Sequence, residues 1–468
     1  MPTDTPLPFR SATALADGLR TGKLTAAQLM EATLARIDAV NGQVNAIVSM
    51  ADPGALMDQA RAADKAGLKG ALAGLPIAIK DLANARGFET SMGSPLFKGT
   101  VAPKDDIMVA RLRAAGAIVI GKTNTPEFGL GSHTFNPVHG ATLNPYDLTR
   151  SCGGSSGGAA VALATGMLAI ADGSDMMGSL RNPAAWNNVY GYRPSWGRVP
   201  SEAIGDNFLH QMSTLGPMGR SPQDVALLLD VMSGPDPRQP HGCPVSSVSP
   251  LTPGDLTGKR IGWLGDWGGA LAFEPEILDL CRGALAQMEE AGAIVDDLAP
   301  PFPMERIWDS WITLRSWSVA TGMAVLDRAH LKDSAIWELD RGLAMSAMEI
   351  HRASVIRSEW FTKAARLFDE YDALVLPSAQ VWPFPVEKPW KDEINGQKLD
   401  TYHRWMEVVV PAGLLGLPVL AAPAGFGDTG LPMGFQIIGR RGADADILSL
   451  GAAWHAMTDW PGRRPALM

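Results

Sequence analysis

The chain has 468 residues, 46% of them hydrophobic, so it can bury a large core, and its length alone accommodates one large α/β domain or about two or three smaller ones. A formal net charge of −9, with no run of Lys and Arg, excludes a phosphate-neutralising face and argues against a nucleic-acid partner. Three cysteines, Cys152, Cys243 and Cys281, stand at no metal-ligand spacing, which excludes a disulfide framework and a zinc site and fits a reducing cytoplasm.

The first residues carry no basic segment followed by an apolar one, so no secretory leader is expected. No stretch approaches the roughly 18 apolar residues that a membrane span needs. From Thr25 the pattern is helical: Thr25-Ala-Ala-Gln28 reads as a capping box, and Met30, Leu34 and Ile37 recur on one face. That face of the N-terminal segment, about residues 1 to 65, needs either the body of the protein or a second copy of the chain to cover it, which leaves a homodimer open. Residues 58 to 66 read as helix. Gly74-Leu75-Pro76 then punctuates, and Ile77-Ala78-Ile79 reads as a short buried strand with Lys80 at its end.

A helix over Ile107 to Ala115, a break at Gly116 and a strand over Ala117 to Ile120 follow. The same order recurs with a helix from about Glu274 to Glu290, Gly292, and a strand at Ala293-Ile294-Val295. This repetition predicts an α/β architecture with a partly parallel sheet in one large domain. Arg260 to Leu264 reads as a strand, and the Pro-, Ser- and Gly-rich stretch 233 to 258 as a long surface connection inside that domain. Residues 305 to 370 are helical and rich in Trp, with Trp308, Trp311, Ile312 and Arg315 at helical spacing. Tyr371 to Pro377, Leu417 to Gly425 and Met433 to Gly439 are strand candidates.

Two motif spellings mislead. Gly116-Ala-Ile-Val-Ile-Gly121-Lys122-Thr123 spells a phosphate-binding loop, yet its middle is an apolar strand where such a loop needs an open turn of N–H groups. Gly153-Gly-Ser155-Ser-Gly157 spells a nucleophile elbow. An elbow needs a strand immediately before the serine, and Asn144-Pro145-Tyr146-Asp147 is turn material. It also needs a histidine, for which His210, His241, His330, His351, His403 and His455 are available without a distinctive setting.

One combination is more telling: Lys80 after Gly74-Leu-Pro-Ile-Ala-Ile79, Gly153-Gly-Ser-Ser-Gly-Gly158, and Asp175-Met-Met-Gly-Ser-Leu-Arg-Asn-Pro183. Through these three motifs in order the chain resembles the amidase signature family of serine hydrolases. The likeness continues in Gly121-Lys-Thr-Asn124, Asn144-Pro145, Gly416-Leu-Pro418 and Gly430 to Gly439. It implies a central mixed sheet covered by helices on both sides, and an enzyme that cleaves a carboxylic acid amide without metal or organic cofactor. It further implies a triad in which Ser179 is the acyl-forming nucleophile, Ser155 a relay held by a cis peptide bond and Lys80 the base. Backbone N–H groups of Met176, Met177, Gly178 and Ser179 would form the oxyanion hole. A lysine acts as a base only when neutral, so Lys80 has to be buried and kept from anions, and the adjacent Asp81 has to point elsewhere.

Around this core, Ser156 is expected to support the site by a hydrogen bond in preference to capping the helix that follows, and Asp175 with Arg181 to order the nucleophile loop. Cys152 and the Trp308–Trp311 face read as packing, although tryptophans are compatible with an aryl or otherwise apolar substrate. The resemblance departs from its pattern at Met177, where the family usually carries glycine. Methionine there is expected to reshape the pocket, and it weakens the alternative of a tRNA-linked glutamine amidotransferase subunit. The other alternative is a catalytically silent binding protein on the same fold. Specificity is expected to come from Phe128 to Phe135, the Trp-rich helices and Gln380 to Trp405.

Overall fold

The computed structural model describes residues 5–202, 204–209, 211–242 and 244–467. Cys243 and His210 lie outside the described residues, as do the first four residues of the N-terminal segment. An eight-stranded mixed sheet runs in the order Ile294–Asp297, Arg260–Trp263, Ala373–Pro377, Pro432–Ile438, Val419–Phe426, Tyr190–Arg193, Thr214–Gly219 and Ile170–Asp175. The first three strands are parallel to one another, and every later neighbour is antiparallel.

Successive side chains on these strands enter two different cores, as strand periodicity requires when both faces are covered. Ala373 and Val375 join the core that also holds the N-terminal helices, while Leu374 and Leu376 join the one built around the Trp-rich helices. Ile437 and Ile438 divide in the same way. Each fully buried side chain of this size contributes about 1.5–3 kcal/mol relative to exposure. Helix Ile277–Glu290 starts later than its sequence pattern suggests, because Pro275 opens a turn and Glu276 takes a φ of 71°.

The two helix–Gly–strand units do not share a sheet. Ile294–Asp297 forms one edge of the large sheet, whereas Ile118–Thr123 sits in a separate three-stranded sheet between Ile47–Val48 and Pro76–Lys80. The strand from Ile118 runs on through Gly121-Lys122-Thr123, since these residues pair in parallel with Ala78, Ile79 and Lys80. That pairing closes the phosphate-loop reading: Lys122 is buried in the interior, its Nζ donating to Ala83 O at 2.6 Å and Thr90 Oγ1 at 3.0 Å.

The N-terminal segment packs on the body of the protein. Thr25 and Gln28 form the expected capping box on helix Ala26–Val44, and Met30 and Ile37 join the same core as Ile77 and Ile79. The Trp-rich region forms three helices, Met304–Met323, Asp333–Leu343 and Ala347–Leu367. No helix or strand lies between Met232 and Arg260 among the described residues. Among the described residues no helix is long and apolar enough to cross a membrane.

Candidate active site

Three segments meet where the small sheet faces the edge strand Ile170–Asp175 of the large one. The first is the strand Pro76–Lys80, all of whose residues are buried. Its last side chain extends toward two serine loops: Lys80 Nζ donates to Ser155 Oγ and Ser156 Oγ at 2.8 Å each and to Ser174 Oγ at 3.0 Å. Ser156 therefore supports the lysine and makes no side-chain cap on helix Gly157–Ala164.

The loop that carries Ser155 is held from outside. Thr134 Oγ1 donates to Gly153 O at 2.8 Å, Ser132 Oγ donates to Gly154 O, and the Gly154–Ser155 peptide is cis. Glycine is required at the start of the following helix, where a Cβ on Gly157 would lie 2.3 Å from Thr134 Oγ1. The turn expected at Asn144 to Asp147 forms, Asn144 pairing with Asp147 across Pro145 and Tyr146, and the strand Asp147–Ser151 that follows it pairs with Leu143–Asn144 in a two-stranded ribbon outside the large sheet.

The loop that carries Ser179 leaves the strand at Asp175 and turns into helix Arg181–Trp186. Asp175 organises that turn. Its carboxylate accepts the N–H groups of Gly178 at 2.9 Å and Leu180 at 3.1 Å, and a fork from Arg181 Nε and Nη2 at 3.0 Å each. Arg193, which no local motif marks, adds a second guanidinium at 3.3 Å. Burial alone would raise the Asp175 pKa, but the two arginines outweigh it and hold the carboxyl well below the usual range. The same bonding bears on the expected oxyanion hole. The Gly178 N–H is already committed to Asp175, while those of Met176, Met177 and Ser179 have no acceptor among the described residues.

Ser155, Ser174 and Ser179 line one cavity of about 240 Å³. The Ser179 hydroxyl has no hydrogen-bond partner among the described residues, and its carbonyl accepts the Ser156 N–H at 3.2 Å. Met177 lines the cavity with no positive φ, so methionine fits the backbone there and Gly178, at φ 78°, takes the left-handed turn. Phe128 to Gly131 form part of the wall as expected. Trp308 and Trp311 do not, being packed around His403 in the core. Instead their helix offers Arg315, Ser318, Val319 and Met323. Arg315 is fixed by Glu338 at 2.6 Å and Tyr402 Oη at 2.9 Å, which is how the segment Gln380 to Trp405 bears on the pocket.

Burial lowers the Lys80 pKa to about 7, against the opposing pull of the Asp172 and Asp175 carboxylates. Asp81 does point away, toward Lys122 at 3.5 Å. The expectation that Lys80 is kept from anions fails at Asp172, whose Oδ1 accepts the Lys80 backbone N–H at 3.0 Å. Asp172 and Ser174 escape the sequence reading, though two polar residues at strand spacing, just before Asp175 in a largely buried strand, are a signal. Cys152 is fully buried, and burial pushes its thiol up to about 12, so it is packing. His133, His139, His241, His330, His403 and His455 bond elsewhere, and His351 is exposed, so among the described residues no histidine bonds either serine.

The profile of the Amidase family matches residues 28–448. The chain belongs to the amidase signature family. An acylamidase of Rhodococcus erythropolis is 33% identical to it, the match covering 99% of this chain and 98% of the relative. A glutamyl-tRNA(Gln) amidotransferase subunit of Chloroflexus aggregans is 32% identical, with 99% of each chain covered. The crystal structure of a bacterial aryl acylamidase of the same family superposes with a TM-score of 0.91 at 28% identity, covering 98% of this chain and 100% of that one. This amidase hydrolyses amide carbon–nitrogen bonds.

Proposed function

We propose that the amidase cleaves an apolar or aryl acylamide through an acyl-enzyme on Ser179. The observation that carries the proposal is the fully buried Lys80 amine, 2.8 Å from Ser155 Oγ in a cavity wall that Ser155 shares with Ser179. Neutral Lys80 accepts the Ser155 proton as Ser155 takes that of Ser179, and Ser179 Oγ bonds to the amide carbon. The carbonyl oxygen becomes an oxyanion facing the N–H groups of Met176, Met177 and Ser179, each donor being worth about 3 kcal/mol in such sites. The carbon–nitrogen bond breaks, the proton returns through Ser155 to the departing amine or ammonia, and water then repeats the relay to release the acid.

The substrate class is supported by the cavity lining, in which eight apolar side chains, Phe128, Leu130, Met177 and Val319 among them, outnumber six polar ones. The names of two relatives, an acylamidase and an aryl acylamidase, favour the same class. The amidotransferase component remains the second reading on its 32% identity. In this proposal residues 1–468 act as one catalytic domain, supported by the core that the N-terminal helices share with the small sheet. Its setting is a reducing cytoplasm without a nucleic-acid partner, and light scattering on the purified chain decides between monomer and homodimer.

Ser179→Ala is expected to abolish both turnover of 4-nitroacetanilide and longer acyl anilides and covalent labelling by a fluorophosphonate. Undiminished turnover in that variant overturns the mechanism. Glutaminase activity that requires added partner chains, with no anilide turnover, selects the second reading.

A further inference from the structure

Three buried carboxylates lie near Lys80, and they are neutralised unequally. Asp175 is covered by Arg181 and Arg193, and Asp81 pairs with Lys122. Asp172, 1% exposed, makes no ion pair within 4.0 Å among the described residues. Its Oδ1 accepts the Lys80 backbone N–H, which ties the end of the lysine strand to the nucleophile strand across two sheets. Lys80 and Lys122 face it from the small sheet, and Asp175 stands on its own strand. The adjoining strand opposes it with Pro217, and helix Gly157–Ala164 carries no charged residue.

We infer that Asp172 is a positioning residue whose uncovered carboxylate favours the protonated form of Lys80 during acyl transfer. The inference rests on the role proposed above for Lys80. When the relay delivers the Ser179 proton, a buried amine becomes a buried ammonium, and a fixed anion nearby lowers the cost of that charge. An apolar residue in its place leaves Lys80 a weaker base, whereas a carboxylate in direct contact with Nζ keeps the amine charged and idle. Asp172 meets both demands by bonding the lysine backbone, while three serine hydroxyls take the amine. Burial raises the Asp172 carboxyl to about 6, with Lys80 and Lys122 opposing, so it is mostly ionised at neutral pH.

The test measures the rate of Ser179 labelling by a fluorophosphonate between about pH 5 and 9, which needs no knowledge of the natural substrate. Asp172→Asn keeps an acceptor for the Lys80 N–H and removes the charge. The wild-type rate is expected to rise through a midpoint at about pH 7. The variant's midpoint is expected about one pH unit lower, with a plateau reduced about threefold. If Asp172→Asn fails to fold, Asp172→Ser, also an uncharged acceptor, is read in the same way. An unmoved midpoint in a folded variant overturns the inference alone. Wild-type labelling at a residue other than Ser179, or with no acid limb, overturns the Lys80 role and the inference with it.

Discussion

Two buried lysines sit side by side in the small sheet, and their partners make them opposites. Lys122 Nζ donates to a carbonyl and a threonine hydroxyl and has Asp81 at 3.5 Å. Lys80 Nζ meets only neutral oxygens, three of them serine hydroxyls, with its carboxylate neighbours held off the amine. Burial depresses both, and for Lys122 the Asp81 carboxylate opposes it most strongly. The same residue type at equal depth thus serves as a structural cation in one strand and as a candidate base in the next. The acceptor in contact with the ammonium decides which.

Lys80→Met and Lys122→Met should separate these roles most widely. The first is expected to lower kcat/KM for an acyl anilide by about 10²–10⁴-fold with an unchanged melting transition. The second leaves Asp81 buried without its cation and should cost about 3–5 kcal/mol in urea unfolding, while the folded fraction still labels at Ser179. A Lys122→Met enzyme that is stable and inactive would dissolve the contrast.

A smaller effect concerns pH. With Lys80 as the proposed base, active as the neutral amine and with its pKa lowered to about 7, kcat/KM should climb as pH rises through that value and level off above it. A limb near pH 10 would mean that the amine is solvated and no different from a surface lysine. Ser156→Ala removes one of the three hydroxyls around Nζ and is expected to reduce kcat about tenfold with little change in KM. Smallest is Met177→Gly, which opens the cavity wall. The preference for a longer over a shorter acyl anilide, as a ratio of kcat/KM, should rise about tenfold.

Much of the site is legible locally. The glycine–serine clusters around Ser155 and Ser179 and the strand-end position of Lys80 are marks that a chain carries in short spans. The Thr25 capping box and the Ile77 to Ile79 strand are equally local, and both occur where the pattern puts them. What resisted reading depends on distant partners. Nothing near Gly116 or Gly292 tells which sheet each strand joins, because register is settled by pairing with Lys80 in one case and Arg260 in the other. Arg193 reaches Asp175 only because a neighbouring strand brings it there. The Trp308 face reads as packing in sequence and does pack around His403, but nothing local tells that the same face, from Arg315 to Met323, turns from core to cavity wall one turn later.

Taken alone, the sequence determines the α/β pattern, the identity of the nucleophile, relay and base candidates, and the substitution at Met177. The α/β pattern follows from periodicity and turn chemistry, which are properties of neighbouring residues, whereas the candidate roles and the departure at Met177 follow from the resemblance that the three motifs carry. Tertiary structure decides the state of those groups: that Asp175 is neutralised by two arginines, that Gly178 spends its N–H on that carboxylate, and that Asp172 is left uncovered beside Lys80. Ionisation and hydrogen-bond capacity are set by burial and by the charges within a few ångströms, and the folded chain supplies those neighbours from segments far apart in sequence.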